Sequence, residues 1–142
     1  MAQLVQDPNF RGTIRVKTHE GRWIAPGKYG RIEIPLLDYE DSPYNWNIEP
    51  SPVRGGFFIS TPTPNRGFWQ ADLKNQKKVG THSGADDWES FHVLPHPSGS
   101  GFAFRNVATN QFVCAEPSSH SVRLTAGANV AAEWERFDIQ IV

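Results

Sequence analysis

Two glutamates occupy the same short motif, and together they could act on a glycosidic bond. Glu89 lies in Trp-Glu-Ser-Phe, and Glu135 lies in Trp-Glu-Arg-Phe 46 residues later. Glycoside hydrolysis typically uses two carboxyl groups about 5–10 Å apart. Because the two glutamates hold equivalent positions of a repeated pattern, we expect them in different units of a repeat. We interpret both as structural residues that hydrogen-bond within turns, and the sequence predicts no catalytic residue.

The histidines and the cysteine give no second catalytic or metal-binding pattern. His92 and His96 are separated by a strand end and a proline, unlike the helical His-Glu-x-x-His of zinc sites. Cys114 lies in an apolar strand pattern without a neighbouring base, so we interpret it as a small buried hydrophobe. The sequence contains no glycine-rich phosphate loop and no Gly-x-Ser-x-Gly elbow. We therefore predict a protein without metal, cofactor or enzymatic activity.

Polar loops with aromatic residues indicate a different chemistry, the binding of sugars. An aromatic ring can support the apolar face of a sugar while a few polar groups fix its hydroxyls. The loop 38–45 combines tyrosines with aspartate and asparagine, and smaller sets occur later in the chain. An alternative for the two tyrosines is that they only cover one end of the fold. The predicted ligand-binding residues are Tyr39, Asp41, Tyr44, Asn45, Trp69, Asp72, Asn75, His120 and Arg123.

Length and charge limit the classes of partner. The chain has 142 residues, 14 basic and 15 acidic, with a net charge of −1. Nucleic-acid and membrane-surface binding need a concentrated positive field, and no basic run here exceeds the pair Lys77–Lys78. Because residues 1–10 lack a signal-peptide pattern and the single cysteine excludes an intramolecular disulfide, we expect a cytoplasmic protein without membrane insertion. Leaderless release remains open.

The elements that would position these residues are short strands. Alternation of apolar and polar residues predicts strands at 13–17, 32–34, 101–105, 122–124 and 137–141. Twelve glycines and eleven prolines punctuate them. The segment 125–136 lacks an apolar stripe, so we predict a single turn there rather than a helix. Short strands with regular turn signals indicate an all-β barrel or sandwich.

A period of about 45 residues organises these strands into three units. The pairs Trp46-x-Ile48, Phe91-x-Val93 and Phe137-x-Ile139 follow one another at intervals of 45 and 46 residues. Residues two apart on a strand share a face, so we expect these pairs to meet in one core. We expect Trp88 and Trp134 to cover the barrel. The units span roughly 12–50, 55–95 and 99–142, which together form a single domain over 1–142.

The third unit resembles a known family. Its segment from Phe104 to Glu116, followed by Trp134-Glu-Arg-Phe137, is similar to the repeat of fascin-like β-trefoils. The resemblance is fair in the second unit and weak in the first, where Pro43 stands in place of the motif tryptophan. It implies a β-trefoil fold. It also implies one of the functions of such modules, which are actin bundling, accompanying glycosidases or acting as lectins.

The resemblance and the polar loops together lead to one expected function. We expect a non-catalytic, carbohydrate-binding, lectin-like module whose partners are glycans or glycoconjugates. The alternative is a protein-binding trefoil, which would either associate with actin like fascin or inhibit a protease through the loop 38–45. We expect a monomer or a homodimer, and no nucleic acid among the partners. Because the first unit departs most from the shared motif, it is the first place to look for specialised residues.

Overall fold

The computed structural model describes residues 7–26, 32–34, 45–53, 55–62, 67–72, 78–82, 89–117 and 122–142. The regular structure in these ranges is β, apart from one 3₁₀ turn at Glu133–Glu135. The strands are β1 Gly12–Thr18, β2 Ala25–Pro26, β3 Ile32–Glu33, β4 Trp46–Pro50, β5 Gly56–Ser60, β6 Phe68–Asp72, β7 Lys78–His82, β8 Phe91–Pro95, β9 Phe102–Asn106, β10 Phe112–Pro117, β11 Val122–Ala128 and β12 Phe137–Ile141. The prediction of an all-β chain is confirmed.

Six of the strands close into a barrel. Antiparallel pairing runs from β1 to β4, β5, β8, β9 and β12, and β12 pairs back with β1. Hairpins β2–β3, β6–β7 and β10–β11 lie between successive barrel strands along the chain. A closed ring leaves none of these six strands as a free edge. The register places inward residues opposite each other, as in Val16 with Ile139 and Ile48 with Ile59.

The three apolar pairs identified from the sequence meet in one core, as predicted. All six residues are buried, and they belong to a single cluster with inward residues of the other barrel strands: Trp46, Ile48, Phe91, Val93, Phe137 and Ile139. They reach the core because alternate residues of a strand point to the same side of the sheet. In β1, for example, Ile14 and Val16 point inward while their polar neighbours are partly exposed.

The segment 125–136 contains a single helical turn, as predicted, but its first four residues continue a strand. Strand β11 continues to Ala128, and the 3₁₀ turn Glu133–Glu135 precedes β12. Within the described ranges, no helix has the length and apolar composition needed to cross a bilayer.

Candidate functional site

Trp69 is not the exposed sugar platform predicted from the sequence. Its side chain is 0% exposed and lies at the centre of the core. The ring makes edge-to-face contacts with Trp46 at 5.5 Å, Phe91 at 6.1 Å and Phe104 at 5.5 Å between centroids. The alternation of β6 explains the error, because Gln70 takes the outward position and leaves its neighbour facing the core. The prediction that Trp69 contacts a ligand is therefore wrong.

Most of the other predicted ligand-binding residues lie outside the described residues. These are Tyr39, Asp41, Tyr44, Asn75 and His120. The structure describes the backbone of Asp72, at the end of β6, and of Arg123, in β11, but not their side chains. Asn45 is described, and its Oδ1 accepts a hydrogen bond of 2.8 Å from Nε of Arg15 on β1. A ligand role for these residues, and for the loop 38–45, stays a prediction.

The most exposed aromatic ring in the described part of the chain belongs to Trp134. Trp134 is 42% exposed, so much of its surface stays in water instead of packing over the barrel as predicted. Trp88, for which the same packing was predicted, lies outside the described residues. The residue after Trp134 explains its exposure. Glu135 is buried, and its Oε1 accepts a hydrogen bond of 3.3 Å from the backbone N–H of Ala132. This hydrogen bond confirms the predicted turn role of Glu135. Because Glu135 points inward, the preceding residue, Trp134, stays at the surface.

A histidine from a distant part of the chain holds the same turn. Nε2 of His96 donates a hydrogen bond of 2.7 Å to the carbonyl of Ala132. Nδ1 of His96 is then unprotonated, and it accepts a hydrogen bond of 3.1 Å from the backbone N–H of Ser98. Trp134 is therefore presented on a turn fixed from two sides. A fixed aromatic ring loses little conformational freedom when it binds a ligand.

Two side-chain amides lie at the surface of the segment 99–142, which also carries Trp134. Nε2 of Gln111 donates a hydrogen bond of 2.7 Å to Oδ1 of Asn129, and both side chains are exposed or partly exposed. The position of Gln111 is set by a buried turn in which Oδ1 of Asn106 accepts the N–H groups of Ala108 and Thr109. Asn129 begins the connection that leads to the 3₁₀ turn, and that turn packs against β10.

The two glutamates of the repeated motif are buried and form hydrogen bonds within the protein. Glu89 is 1% exposed, and its Oε1 accepts a hydrogen bond of 3.3 Å from Nε2 of Gln70. Glu135 lies beside Cys114, which is buried as predicted. Burial, followed by the negative charge of Glu135 and a hydrogen bond to it, raises the pKa of the Cys114 thiol to about 12. Among the described side chains, no group of three histidines, cysteines or acids is arranged to hold a metal ion.

The raised pKa predicts an inert thiol at neutral pH. At pH 8, a pKa of about 12 instead of 9.0 should slow alkylation of Cys114 by iodoacetamide about 100- to 1,000-fold relative to the unfolded chain. Because the folded state holds the thiol proton more tightly than the unfolded chain, the protonated thiol adds to the free energy of unfolding. This contribution is fully present below about pH 9 and is lost as the pH rises towards 12. Mass spectrometry of native and urea-unfolded protein measures both rates, and equal rates would contradict the buried environment.

Comparison with known proteins gives matches in structure but not in sequence. No protein-family model matches the chain, and no curated protein sequence matches it significantly. A mosquitocidal holotoxin aligns with 93% of this chain at a TM-score of 0.80 and 15% identity. SeviL, solved with an asialo-GM1 saccharide, aligns with 94% at a TM-score of 0.71 and 14% identity. The Polyporus squamosus lectin, bound to the epitope Neu5Acα2-6Galβ1-4GlcNAc, aligns with 92% at a TM-score of 0.69 and 9% identity.

These similarities identify the fold. The neighbours are lectins and a toxin with β-trefoil folds, and the chain shares this β-trefoil-like fold. It spans 16% of the toxin chain, 49% of the Polyporus lectin and 99% of SeviL. Glycosidases also carry this fold as part of longer chains. At these identities the comparison shows the fold alone, and the fascin-like part of the resemblance stays a prediction.

Proposed function

We propose that the chain is a single β-trefoil domain that binds carbohydrate without catalysis. Its three units would be 12–50, 55–95 and 99–142, in agreement with the sequence period. The strand pairing supports this division, because each unit contributes two strands to the barrel and one hairpin between them. The barrel pairs are β1 with β4, β5 with β8, and β9 with β12.

The observation that carries the proposed function is the exposed ring of Trp134 on its fixed turn. A tryptophan is the largest flat apolar surface that a protein can offer to a sugar ring. An exposed tryptophan lacks the hydrophobic stabilisation that burial would give, about 25 cal/mol for each Å² of apolar surface, unless a ligand covers it. The amides of Gln111 and Asn129, in the same segment 99–142, can form hydrogen bonds with the hydroxyl groups of a sugar. The two lectins of this fold that were solved with saccharides support the same ligand class.

The two glutamates of the repeated motif do not form the accessible pair of carboxylates that a catalytic role would need. Retaining and inverting hydrolysis both require two carboxyl groups that flank a bond in an accessible cleft. Glu89 and Glu135, which the motif suggested, are buried and hydrogen-bonded to the protein itself. The glycosidases that share the fold are longer than this chain, which covers 33% of one and 31% of another. We therefore propose a binding module.

The protein-binding alternative remains a prediction from the sequence. Its strongest candidate, the loop 38–45, lies outside the described residues, and no contact in the described part favours actin or a protease as partner.

A glycan array tests the proposed function directly. The protein, confirmed as folded by its thermal transition, is applied at physiological salt to neutral galactose-terminated and to sialylated glycans. These two groups are chosen because the similar lectins were solved with asialo-GM1 saccharide and with a Neu5Ac-terminated epitope. We expect binding of millimolar to micromolar strength for single glycans, and tighter binding to dense multivalent surfaces. A folded sample that binds no glycan would contradict the proposal.

A further inference from the structure

A second tryptophan lies at the surface of the first unit, where a lysine covers it. Nζ of Lys17 is 4.4 Å from the centroid of the Trp23 ring, and the two residues form an isolated antiparallel bridge. The connection between them is a tight turn in which Thr18 N–H donates to Arg22 O at 2.8 Å. Ile24 then enters the core, so Trp23 takes the outward position. The structure therefore fixes an ammonium group on a partly exposed indole.

Further cations surround this pair. Arg136, directly before β12, donates a hydrogen bond of 3.5 Å from Nη2 to the carbonyl of His19, and its Nη1 pairs with Asp138 at 3.3 Å. Asp138 stands opposite Lys17 in the register of β1 and β12. Arg22 is partly buried in the turn itself. We call Lys17, Arg22, Trp23 and Arg136 the basic turn site.

The charges of the basic turn site do not cancel locally. Its three cations face two acids, Asp138 opposite Lys17 and Glu20 in the turn, so the patch is positive in a chain whose net charge is −1. Asp138, the acid on β12, already forms an ion pair with Arg136. Within the described part of the chain, Lys17 makes no ion pair. A positive patch beside an aromatic surface attracts anions that also carry an apolar face.

We propose that the basic turn site binds the anionic group of an acidic saccharide, a carboxylate or a sulfate. This inference rests on the proposed function and adds charge selectivity to it. Lys17 supplies an ammonium group that forms no ion pair with a described carboxylate, Arg136 supplies a planar guanidinium, and both groups form charge-assisted hydrogen bonds with oxyanions. The indole of Trp23 packs against the apolar face of the same sugar.

The position of Arg136 links this site to the proposed sugar platform. It follows Trp134 by two residues, directly after the 3₁₀ turn that carries the tryptophan. Two residues of chain span at most about 7 Å, so the Cα atoms of Trp134 and Arg136 are no farther apart than neighbouring sugars of an oligosaccharide. One short acidic oligosaccharide can therefore reach both residues, with a neutral sugar at Trp134 and the charged one at the basic turn site.

Matched saccharides test the inference. Isothermal titration is performed with a neutral oligosaccharide, with its sialylated counterpart and with its sulfated counterpart. In wild-type protein we expect both acidic forms to bind about 5- to 10-fold more tightly than the neutral one, as expected for one charge-assisted contact. This preference should shrink as the salt concentration rises, because salt screens exposed charges. Preference for only one acidic form identifies the anionic group.

The variant Lys17→Gln removes the charge but keeps a side chain over Trp23, and it should abolish the acidic preference. Arg11→Gln is the matched control. Its side chain is 68% exposed and pairs with Glu49, and it precedes β1, six residues from Lys17. We expect this control to retain the preference.

Three outcomes would overturn the inference while neutral glycans still bind. The wild-type protein could show no acidic preference, Lys17→Gln could leave the preference unchanged, or the patch could bind anionic phospholipid vesicles while ignoring acidic saccharides. Failure of every saccharide to bind would overturn the proposed function as well.

Discussion

Replacing Trp69 with alanine should lower the free energy of unfolding by about 3–5 kcal/mol. The ring is fully buried and contacts three other aromatic rings at centroid distances of 5.5–6.1 Å. Removing it leaves a cavity at the centre of the barrel, and the closed strand ring limits how far the neighbours can relax into it. Urea unfolding followed by circular dichroism measures the change. We expect Trp69→Phe to retain part of the stability, because a smaller cavity costs less.

The matched control for this prediction is another tryptophan. Trp134→Ala removes the same side chain from a site where it is 42% exposed, so its cost should stay below about 1 kcal/mol. Similar losses of stability in the two variants would contradict the placement of Trp69 in the core and of Trp134 at the surface.

Trp134→Ala should instead weaken glycan binding by about tenfold or more, which corresponds to about 1.4 kcal/mol. The ring is the proposed stacking surface, and its turn is held by Glu135 and by His96 independently of the indole. The fold should therefore persist while the ligand loses its largest apolar contact. Titration calorimetry with the strongest glycan from the array measures the change.

Val130→Ala is the control for the binding prediction. Val130 is 69% exposed on the same connection between β11 and β12, but it offers no flat ring to a sugar. We expect its affinity to stay within about twofold of wild type, since isolated surface substitutions have small effects. An unchanged affinity in Trp134→Ala, or an equal loss in both variants, would argue against stacking on Trp134.

The barrel core could be predicted from the sequence because its signal is local and repeated. Residue pairs such as Phe91 with Val93 and Phe137 with Ile139 identify one face of a strand by their spacing alone. The same spacing in Trp46-x-Ile48 located the third pair, although the first unit departs from the motif. All of these residues are buried.

The residue that follows Trp69 or Trp23 indicates whether the tryptophan faces the core or the surface. Trp69 is followed by Gln70, so the tryptophan must take the inward position. Trp23 is followed by Ile24, which is fully buried, and the tryptophan is therefore displaced outward. The contrast between a polar and an apolar next residue is the signal that could have separated a core ring from a surface ring.

The exposure of Trp134 could not be read from its own segment. It depends on the inward turn of Glu135 and on the hydrogen bond from His96, which lies 36 residues before its partner Ala132. Contacts of that range follow from the closed barrel, and local sequence patterns do not encode them. For the same reason, the cations of the basic turn site are scattered in sequence, at Lys17, Arg22 and Arg136, and assemble only when β12 pairs with β1.

The indole N–H signals of the five tryptophans provide the most direct test of glycan binding at Trp134. In ¹⁵N-labelled protein titrated with the strongest glycan from the array, we expect the Trp134 signal to shift in a saturable manner. The signals of Trp46, whose Nε1 donates to Ile24 O at 2.9 Å inside the core, and of the buried Trp69 should stay in place. Saturable glycan binding that leaves the Trp134 signal unmoved, or the absence of any binding by the folded protein, would contradict the account.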